Sequence, residues 1–436
     1  MRRQASSSES PAAAAARAGR AGRPPAVAST QTRRRLCNLE IKSNTALDIG
    51  QPSMHAPPPP VVSVAQYTTK DFLLYALGVG CCAGNNGIGT DANAEIKYVY
   101  ENHHDFAPLP TFPLSLSFTA LPAASEANCL AGSIRSFPPH TMENTLPRQF
   151  IAADSDFDPS SCPILHIAQS LRLHKPIPTP DLTGDDRPIR VKLVTTILSV
   201  TPKDIGTFVT TQTEYWATAE PTTLLFTGTS TALVVGAPKE AVLSFRCNSK
   251  NHGDKFYSIG ATSPYKRQGA PPSFEEFFRI NPNQALIYRL SGDYNPIHVD
   301  SDLAAMAMGN RNRRGGDESS VPRPVLHGLC SLGFAVRGVL RFLRQKEASL
   351  ATAGTRFEVT YLSCSFARPI YVGDKIKLSV WDDDSSSVCN GKEEVLRFEV
   401  HDCALGRVAI KDGIVAILAH TTLHVDKTPS TPRSSL

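Results

Sequence analysis

The sequence lacks the paired cysteine spacing that most metal and redox motifs require. Its ten cysteines are scattered, and no two of them are separated by two residues. That spacing is typical of zinc sites and of redox-active dithiols, and a chain of 436 residues does not depend on disulfides to fold. We therefore expect reduced thiols in an intracellular compartment.

Long apolar runs are also missing. The longest nearly uninterrupted run extends from Phe72 to Gly84, which is too short to span a bilayer. No apolar segment of the secretory type follows the first arginines. The sequence therefore predicts a soluble protein without a membrane span.

The body of the chain carries little net charge. The formal net charge is +5, and residues 1–60 alone hold nine basic and three acidic residues. The remainder is close to neutral and lacks the basic stripe that a nucleic-acid platform needs. We therefore expect no nucleic-acid partner.

The basic N-terminal segment, residues 1–60, is rich in Ala, Ser, Arg and Pro and shows no hydrophobic periodicity. Such a composition is typical of disorder. Its basic, acid-poor character is similar to an organelle transit peptide. A low-complexity extension without a targeting role fits these residues equally well.

Beyond this leader, apolar patterns indicate two halves of α+β character. We predict an N-terminal half at 61–245, a polar linker at 246–275, a C-terminal half at 276–422 and a tail at 423–436. Each half combines one helix with a run of antiparallel strands. This pattern predicts two long helices, each wrapped by a curved sheet.

Helical spacing and capping place the two helices, and β-branched segments place the strands. The first helix begins at Thr68 or Thr69 and ends at Gly78, and the second runs roughly from His327 to Leu343. Strands are expected at Arg190–Val200, Phe208–Tyr215, Thr222–Val235, 357–365, 375–381, 394–402 and 408–418.

The segment with the most chemical content is Tyr288–Asp300, YRLSGDYNPIHVD. Asp293 and His298 stand five residues apart across a turn, so a carboxylate and an imidazole can face one point. Together they supply a base that activates water and an acid that returns a proton, and Asn295 can hold the loop or orient the water. The alternative is a plain turn, in which Asp and Asn bond their own backbone and the His caps the helix.

A second candidate lies at the opening of the long helix, in residues 325–330. The first N–H groups of a helix lack partners and carry positive potential. The N–H of Gly328 can therefore stabilise negative charge on a thioester oxygen, as an oxyanion hole does. The alternative is a tight strand-to-helix turn that needs a glycine.

Taken together, these motifs resemble the hydratase 2 family of MaoC-like enoyl-CoA hydratases, the hydratase part of peroxisomal multifunctional enzyme type 2. The resemblance covers most of residues 67–422. Its blocks are residues 288–300, 324–330, 333–334 and 367–371 in the second half, and 75–80, 100–101, 105–106, 109–112, 165–166 and 174–176 in the first.

The resemblance implies a double hot-dog fold, in which the N-terminal half shelters the acyl chain and the C-terminal half is catalytic. It implies reversible, stereospecific hydration of a trans-2-enoyl-CoA to the (3R)-3-hydroxyacyl-CoA in fatty-acid β-oxidation. It further implies no metal and no redox cofactor, since the substrate itself carries coenzyme A. The partners it implies are the acyl-CoA substrate and a second copy of the chain in a homodimer.

The resemblance also assigns residues by position. Asp293 and His298 match the catalytic pair, Asn295 matches the Asn between them, and Gly328 matches the oxyanion-hole glycine. Glu101 matches a functionally important Glu of the N-terminal half. The alternative for Glu101 is a buried carboxylate that holds the active-site loop, because a buried carboxylate needs partners.

Coenzyme A carries phosphates, and two groups of arginines are candidates to bind them. Arg337, Arg341 and Arg344 fall on one stripe of the long helix, and Arg368 follows the first strand after that helix. A solvated helix face is the alternative for the stripe.

The sequence departs from the family pattern at the charged insertion Asn310–Ser320, which composition predicts to be a disordered surface loop. Because it lies between the two catalytic motifs, chain-length preference stays open. No Gly-rich dinucleotide loop follows a strand, so we expect a stand-alone hydratase.

Two segments bear on location. Ser434-Ser435-Leu436 is similar to a relaxed peroxisomal targeting tripeptide, whereas the basic leader favours a mitochondrion. The resemblance to a peroxisomal enzyme favours the peroxisome or a related organelle.

Other functions remain open at this point. A 3-hydroxyacyl dehydratase of fatty-acid synthesis would use the same residues, because a catalyst accelerates both directions. A non-catalytic hot-dog module that binds acyl-CoA would predict the loss of Asp293 or His298, and both are present. A thioesterase fits the paired motifs less well.

Overall fold

The computed structural model describes residues 58–83, 95–122, 145–180, 187–219, 223–247, 270–308, 323–350, 355–382 and 393–421. Nearly all of the predicted leader, most of the predicted linker, the Asn310–Ser320 insertion and the tail with Ser434-Ser435-Leu436 lie outside these residues. Within the described ranges, no helix has the length and apolarity needed to cross a membrane.

The N-terminal half consists of one helix, a short helical turn and seven strands within the described residues. Its elements are β1 (Val61–Tyr67), α1 (Thr69–Gly78), α2 (Leu116–Thr119), β2 (Leu121–Pro122), β3 (Ile164–Leu173), β4 (Ile189–Lys203), β5 (Gly206–Ala217), β6 (Leu224–Val235) and β7 (Phe245–Arg246).

Helix α1 begins where the sequence predicts. The carboxylate of Asp71 accepts hydrogen bonds from the backbone N–H and the hydroxyl of Thr68, at 2.7 and 3.0 Å, and these bonds stabilise the first turn. The buried face carries Phe72, Tyr75 and Ala76. Leu77 is 46% exposed, because it lies about 140° around the helix from Phe72.

The C-terminal half has the longer helix. Its elements are β8 (Phe274–Arg279), α3 (Gln284–Tyr288), α4 (Ser301–Met308), α5 (Gly328–Ser349), β9 (Thr355–Phe366), β10 (Lys375–Asp382), β11 (Glu393–Asp402) and β12 (Arg407–Thr421). Helix α5 buries Leu332, Val336, Val339 and Leu343, whose spacing of three and four residues places them on one face.

Both halves contribute to one antiparallel sheet. The strand order is β2-β1-β4-β5-β6-β3-β9-β12-β11-β10-β8, and β7 pairs with β4. The halves meet where β3 pairs with β9, in a register that places Ala168 opposite Ser365 and Arg172 opposite Tyr361. This architecture confirms the predicted double hot-dog fold. The N-terminal helix is shorter than expected, with ten residues against 22 in α5.

A buried ion cluster ties α5 to the N-terminal half. Arg337 Nε lies 2.7 Å from Glu95 Oε1, and Arg337 Nη1 donates to the carbonyl oxygen of Val79 at 2.6 Å. Arg341 Nε donates to the same Glu95 oxygen at 3.0 Å, and its Nη1 contacts Glu276. Glu95 and Arg337 are 1% and 3% exposed, so the two charges depend on each other inside the protein.

This cluster corrects the predicted coenzyme A role of two arginines. Arg337 is sealed from solvent, and Arg341 faces two carboxylates, so neither side chain is available to bind the phosphates of a substrate. Arg337 and Arg341, two of the three arginines of the stripe, instead form a contact between α5 and the N-terminal half.

We predict that Glu95→Gln lowers the free energy of unfolding by about 3–5 kcal/mol, because it leaves the buried charge of Arg337 uncompensated. Urea denaturation would measure this loss. The control is Glu275→Gln, which breaks the more exposed pair with Lys377 at 2.9 Å and should cost about 0–1 kcal/mol. Equal losses in the two variants would contradict the role of the cluster.

Candidate active site

A cavity of about 600 Å³ is lined by residues of both halves. The C-terminal half contributes Asp293, Asn295, His298 and Gly328, and the N-terminal half contributes residues of β3, β4, β5 and β6. Its volume falls within the range of small-molecule sites, roughly 300–1,000 Å³. The structure thus brings four of the five predicted catalytic residues to one space.

The loop that carries Asp293 is shaped by the glycine before it. Gly292 adopts φ 116°, a conformation that other residues rarely adopt. A Cβ at this position would lie 2.7 Å from Thr119 Cγ2 and 3.1 Å from Phe118 Cβ. Both neighbours belong to the N-terminal half, so the close approach of the two halves sets the position of Asp293.

Asp293 and Asn295 hold the loop through their own backbone. Asp293 Oδ1 accepts a hydrogen bond from the N–H of Asn295 at 3.2 Å, and Asn295 Oδ1 accepts one from Ile297 at 3.3 Å. These are the bonds of the plain turn that was the alternative reading. Asp293 Oδ2 remains directed toward His298 Nε2, at 4.0 Å, so the turn and the paired arrangement coexist.

The tautomer of His298 follows from its second nitrogen. Nδ1 lies 2.8 Å from the carbonyl oxygen of Val325, and a carbonyl can only accept, so Nδ1 carries the proton. In the neutral ring, Nε2 therefore has a free lone pair on the side of Asp293. A gap of 4.0 Å allows one water molecule to bond both groups at ordinary hydrogen-bond lengths.

Burial shifts both groups in the direction of their neutral forms. Desolvation lowers the pKa of His298 below its usual 6.5, although the Asp293 carboxylate opposes this shift. Desolvation also raises the pKa of Asp293 above its usual 3.8, opposed by His298. The imidazole is thus uncharged at neutral pH and able to accept a proton.

His327 is a site residue that the sequence analysis named only as part of a motif. Its ring stacks on that of His298, with centroids 3.6 Å apart and an interplanar angle of 26°. Its Nε2 donates to the backbone carbonyl of Asp293 at 3.1 Å. The ring is fully buried, and desolvation lowers its pKa well below 6.5. His327 therefore positions both members of the pair.

Gly328 opens helix α5 directly after His327. The N–H groups of the first turn have no acceptor within the helix, and Gly328 itself lines the cavity. A Cβ here would lie 3.4 Å from the ring of Phe366, so the glycine leaves the backbone accessible beside that ring. Gly328 thus lines the same cavity as the Asp293–His298 pair, and the role of its N–H as an oxyanion-hole donor stays a prediction.

One ligand atom from each of Asp293, His298 and His327 lies within 4.8 Å of the others, which raises the possibility of a metal site. The two imidazole rings are stacked face to face. Lone pairs of imidazole lie in the ring plane, so stacked rings do not direct them to a common ion. This arrangement fits a proton-transfer pair better than a metal centre.

The structure does not bring Glu101 to the site. Glu101 is partly exposed, its Oε1 accepts a hydrogen bond from Asn102 at 3.2 Å, and it is not among the described residues that line the cavity. The buried carboxylate of this region is Glu95, on the other side of the short turn Ile96–Tyr98. Arg368 does line the cavity, and its role as a phosphate ligand stays a prediction.

Comparison with known protein families matches both halves. Residues 65–236 match the MFE-2 hydratase 2 N-terminal domain, and residues 265–402 match the MaoC like domain. The chain belongs to the MaoC-like hydratase 2 family. The pairing of these two domains in this order agrees with the resemblance seen in the sequence motifs.

Curated relatives are identical to this chain at about a quarter of the aligned positions. The peroxisomal multifunctional enzyme type 2 of Mus musculus is 26% identical over 319 residues, covering 73% of this chain and 33% of the mouse protein. The peroxisomal enoyl-CoA hydratase 2 of Arabidopsis thaliana is 27% identical over 318 residues, covering 72% of this chain and 82% of the plant protein. The chain thus spans about a third of the mouse relative and most of the plant one.

A solved structure supports the fold. The MaoC-like dehydratase from Phytophthora capsici has a TM-score of 0.55 and 20% identity, and the match covers 84% of this chain and 97% of that one. At this identity the likeness shows the fold alone.

We predict that His327→Phe lowers the free energy of unfolding more at pH 8 than at pH 5. The variant leaves the carbonyl of Asp293 without its donor, which should cost about 1–3 kcal/mol of unfolding free energy at pH 8. Below pH 6.5 the unfolded wild-type chain gains a proton on His327 that the folded chain does not, so the wild type loses stability as pH falls. The variant lacks this loss, and the difference between the two proteins should shrink at pH 5.

Urea denaturation at both pH values would measure the two differences. The exposed His420→Phe variant is the control for removal of an imidazole elsewhere in the sheet. A His327→Phe difference that stays constant between pH 8 and pH 5 would contradict a buried neutral ring.

We also predict that Gly292→Ala displaces the Asp293 loop. The added Cβ would overlap Thr119 and Phe118, and such overpacking typically costs about 1–3 kcal/mol. Gly406→Ala is the matched control, because Gly406 also has positive φ, 58°, but open space around it. Thermal unfolding should show a larger loss at Gly292, and equal losses would argue against contact between the halves at this point.

Proposed function

We propose that the protein catalyses the reversible hydration of trans-2-enoyl-CoA to 3-hydroxyacyl-CoA, with (3R) stereochemistry. One observation carries this proposal: an Asp carboxylate and a neutral imidazole lie 4.0 Å apart in a cavity that Gly328, at the start of α5, also lines. Relatives named enoyl-CoA hydratase 2 and multifunctional enzyme type 2 support the same reaction.

In this proposal the thioester oxygen accepts a hydrogen bond from the Gly328 N–H. The positive end of the 22-residue helix α5 favours negative charge at the same place. As the oxygen gains charge, electron density leaves C3 of the conjugated double bond. C3 then becomes open to attack by water.

The attacking water is held between Asp293 Oδ2 and His298 Nε2. One member of the pair accepts a proton from the water as its oxygen bonds to C3, and one member returns a proton to C2. Asn295 keeps the loop in place through its bond to Ile297. Since both proton-transfer groups stand on one side of the substrate, water and proton add to the same face. The reaction transfers no electrons, so we propose that it needs no redox cofactor.

The reverse reaction is the second candidate. The 3-hydroxyacyl-thioester dehydratase Y of Mycobacterium tuberculosis is 25% identical over 368 residues, covering 81% of this chain and 94% of that protein. The same residues serve dehydration by microscopic reversibility, so the physiological direction depends on the pathway. A binding module without catalysis would not need a paired acid and base directed at one point.

We further propose a peroxisomal location. The mouse, Drosophila melanogaster and Arabidopsis thaliana relatives are all named peroxisomal. The leader and the Ser434-Ser435-Leu436 tripeptide lie outside the described residues, and a mitochondrial location and a homodimer remain predictions from the sequence.

We predict that Asp293→Asn lowers the turnover of a trans-2-enoyl-CoA by at least about 100-fold, because the amide cannot accept the proton. The loss of absorbance of the conjugated thioester would measure the rate, and chiral analysis would identify the product. Asp300→Asn on the same loop is the control, since an amide oxygen can still cap the backbone N–H groups of Asp302 and Leu303. A normal rate in Asp293→Asn would defeat the assignment.

A further inference from the structure

Part of the wall that the N-terminal half contributes to the cavity is polar, although apolar side chains such as Ile167, Val209 and Leu233 line the same wall. Among the polar side chains that line the cavity from β3, β4, β5 and β6 are four hydroxyls and one amide, which we call the polar strip: Gln169, Thr195, Thr211, Thr213 and Ser230. They are neighbours across the sheet. Gln169 pairs with Ser230, Ser230 with Thr211, and Thr213 with Thr195.

The polar strip lies between two apolar stretches of the same strands. On one side, Leu193 and Phe226 join the core that contains α1. On the other side, Val200 and Val234 join a second apolar core. Helix α1 has ten residues and is about 15 Å long, whereas β4 to β6 have 12 to 15 residues and extend about 40 Å or more. The polar strip therefore lies on a part of the sheet that is beyond the length of α1. Side chains there do not have to be apolar, because they do not pack against that helix.

After its internal hydrogen bonds are made, the polar strip still has donors and acceptors for a ligand. Thr195 Oγ1 and Thr213 Oγ1 lie 3.0 Å apart, and Ser230 Oγ lies 3.1 Å from His166 Nε2. A hydroxyl has one donor and two acceptor sites, so a bonded pair of hydroxyls still has one donor and several lone pairs to offer. Gln169 Nε2 donates to Ser170 O at 2.7 Å, which directs its amide along the sheet.

An unsubstituted acyl chain is a poor match for the polar strip. It would displace water from the hydroxyls and return no hydrogen bond, and each such loss weakens binding. A chain that carries its own hydroxyl or oxo group would replace the displaced water. Cavities that bind small molecules commonly use a few polar groups in this way to select the ligand.

We propose that the substrate of this site is an oxygenated acyl chain, in which a hydroxyl or oxo group beyond the reacting double bond hydrogen-bonds to the polar strip. The inference rests on the proposed hydratase function, because it assigns the substrate class of the same cavity. Asp293 and His298 act on the double bond, while Thr211, Thr213 and Ser230 select the chain.

The first test compares enoyl-CoA thioesters of equal length, one plain and the others with a single hydroxyl moved stepwise along the chain. At one position the hydroxyl should raise kcat/KM about tenfold, the effect of one hydrogen bond of ordinary net strength. Equal kcat/KM values at every position would overturn the inference and leave the hydratase function intact.

The second test removes the hydroxyls of the polar strip with the double variant Thr211→Val and Ser230→Ala. It should lose the tenfold preference and hydrate the plain chain faster, because fewer hydroxyls must be desolvated. The control is Thr210→Val with Thr231→Val, neighbours on the opposite face of the same strands whose hydroxyls bond each other at 3.1 Å. The control should keep the wild-type preference.

Two further outcomes separate the possible failures. If the double variant lowers kcat/KM equally for plain and hydroxylated chains, the polar strip binds the part of coenzyme A common to both, and the inference is wrong. If the wild type hydrates no enoyl thioester, the proposed function fails. Isothermal titration then tests the inference by itself. The inference predicts a tenfold lower Kd for a hydroxylated acyl-CoA than for the plain acyl-CoA of equal length.

Discussion

The backbone ladder between β3 and β9 is the interaction on which the site depends. It joins the halves into one sheet, and a slip of one residue would turn every side chain of a strand to the other face. Such a slip would change how the two halves meet, and Gly292 would lose its fit against Phe118. The ion cluster of Arg337 and Glu95 ties the halves together from the helix side, so the cavity wall is held at two places.

Burial is what makes the paired residues chemically useful, and it has a cost. Val325 and His327 fix the ring of His298, and desolvation keeps that ring neutral at physiological pH. Two stacked imidazoles without charge are stable only while neither gains a proton. The same burial that provides a proton acceptor thus makes the fold sensitive to acid, which is a common trade between a functional site and stability.

Local chemistry explains which predictions succeeded. The turn Tyr288–Asp300, the start of α1 at Thr68 or Thr69 and the apolar spacing of α5 all depend on residues a few positions apart, and each was placed correctly. The strand β3 was missed, because its residues Ile164–Leu173 mix apolar, polar and charged side chains in a strand that lies between two others. Arg337 was misassigned because its partner, Glu95, is 242 positions away in the sequence.

By itself, the sequence determined the two-half organisation, the family and the identity of the Asp293, Asn295, His298 and Gly328 set, since short-range patterns and motif order encode them. Only the tertiary structure decided that Glu101 stays outside the cavity, that His327 stacks on His298 and that a polar strip faces the substrate space. These features arise from contacts between distant segments, and no local pattern records which side chains meet when two halves close into one sheet.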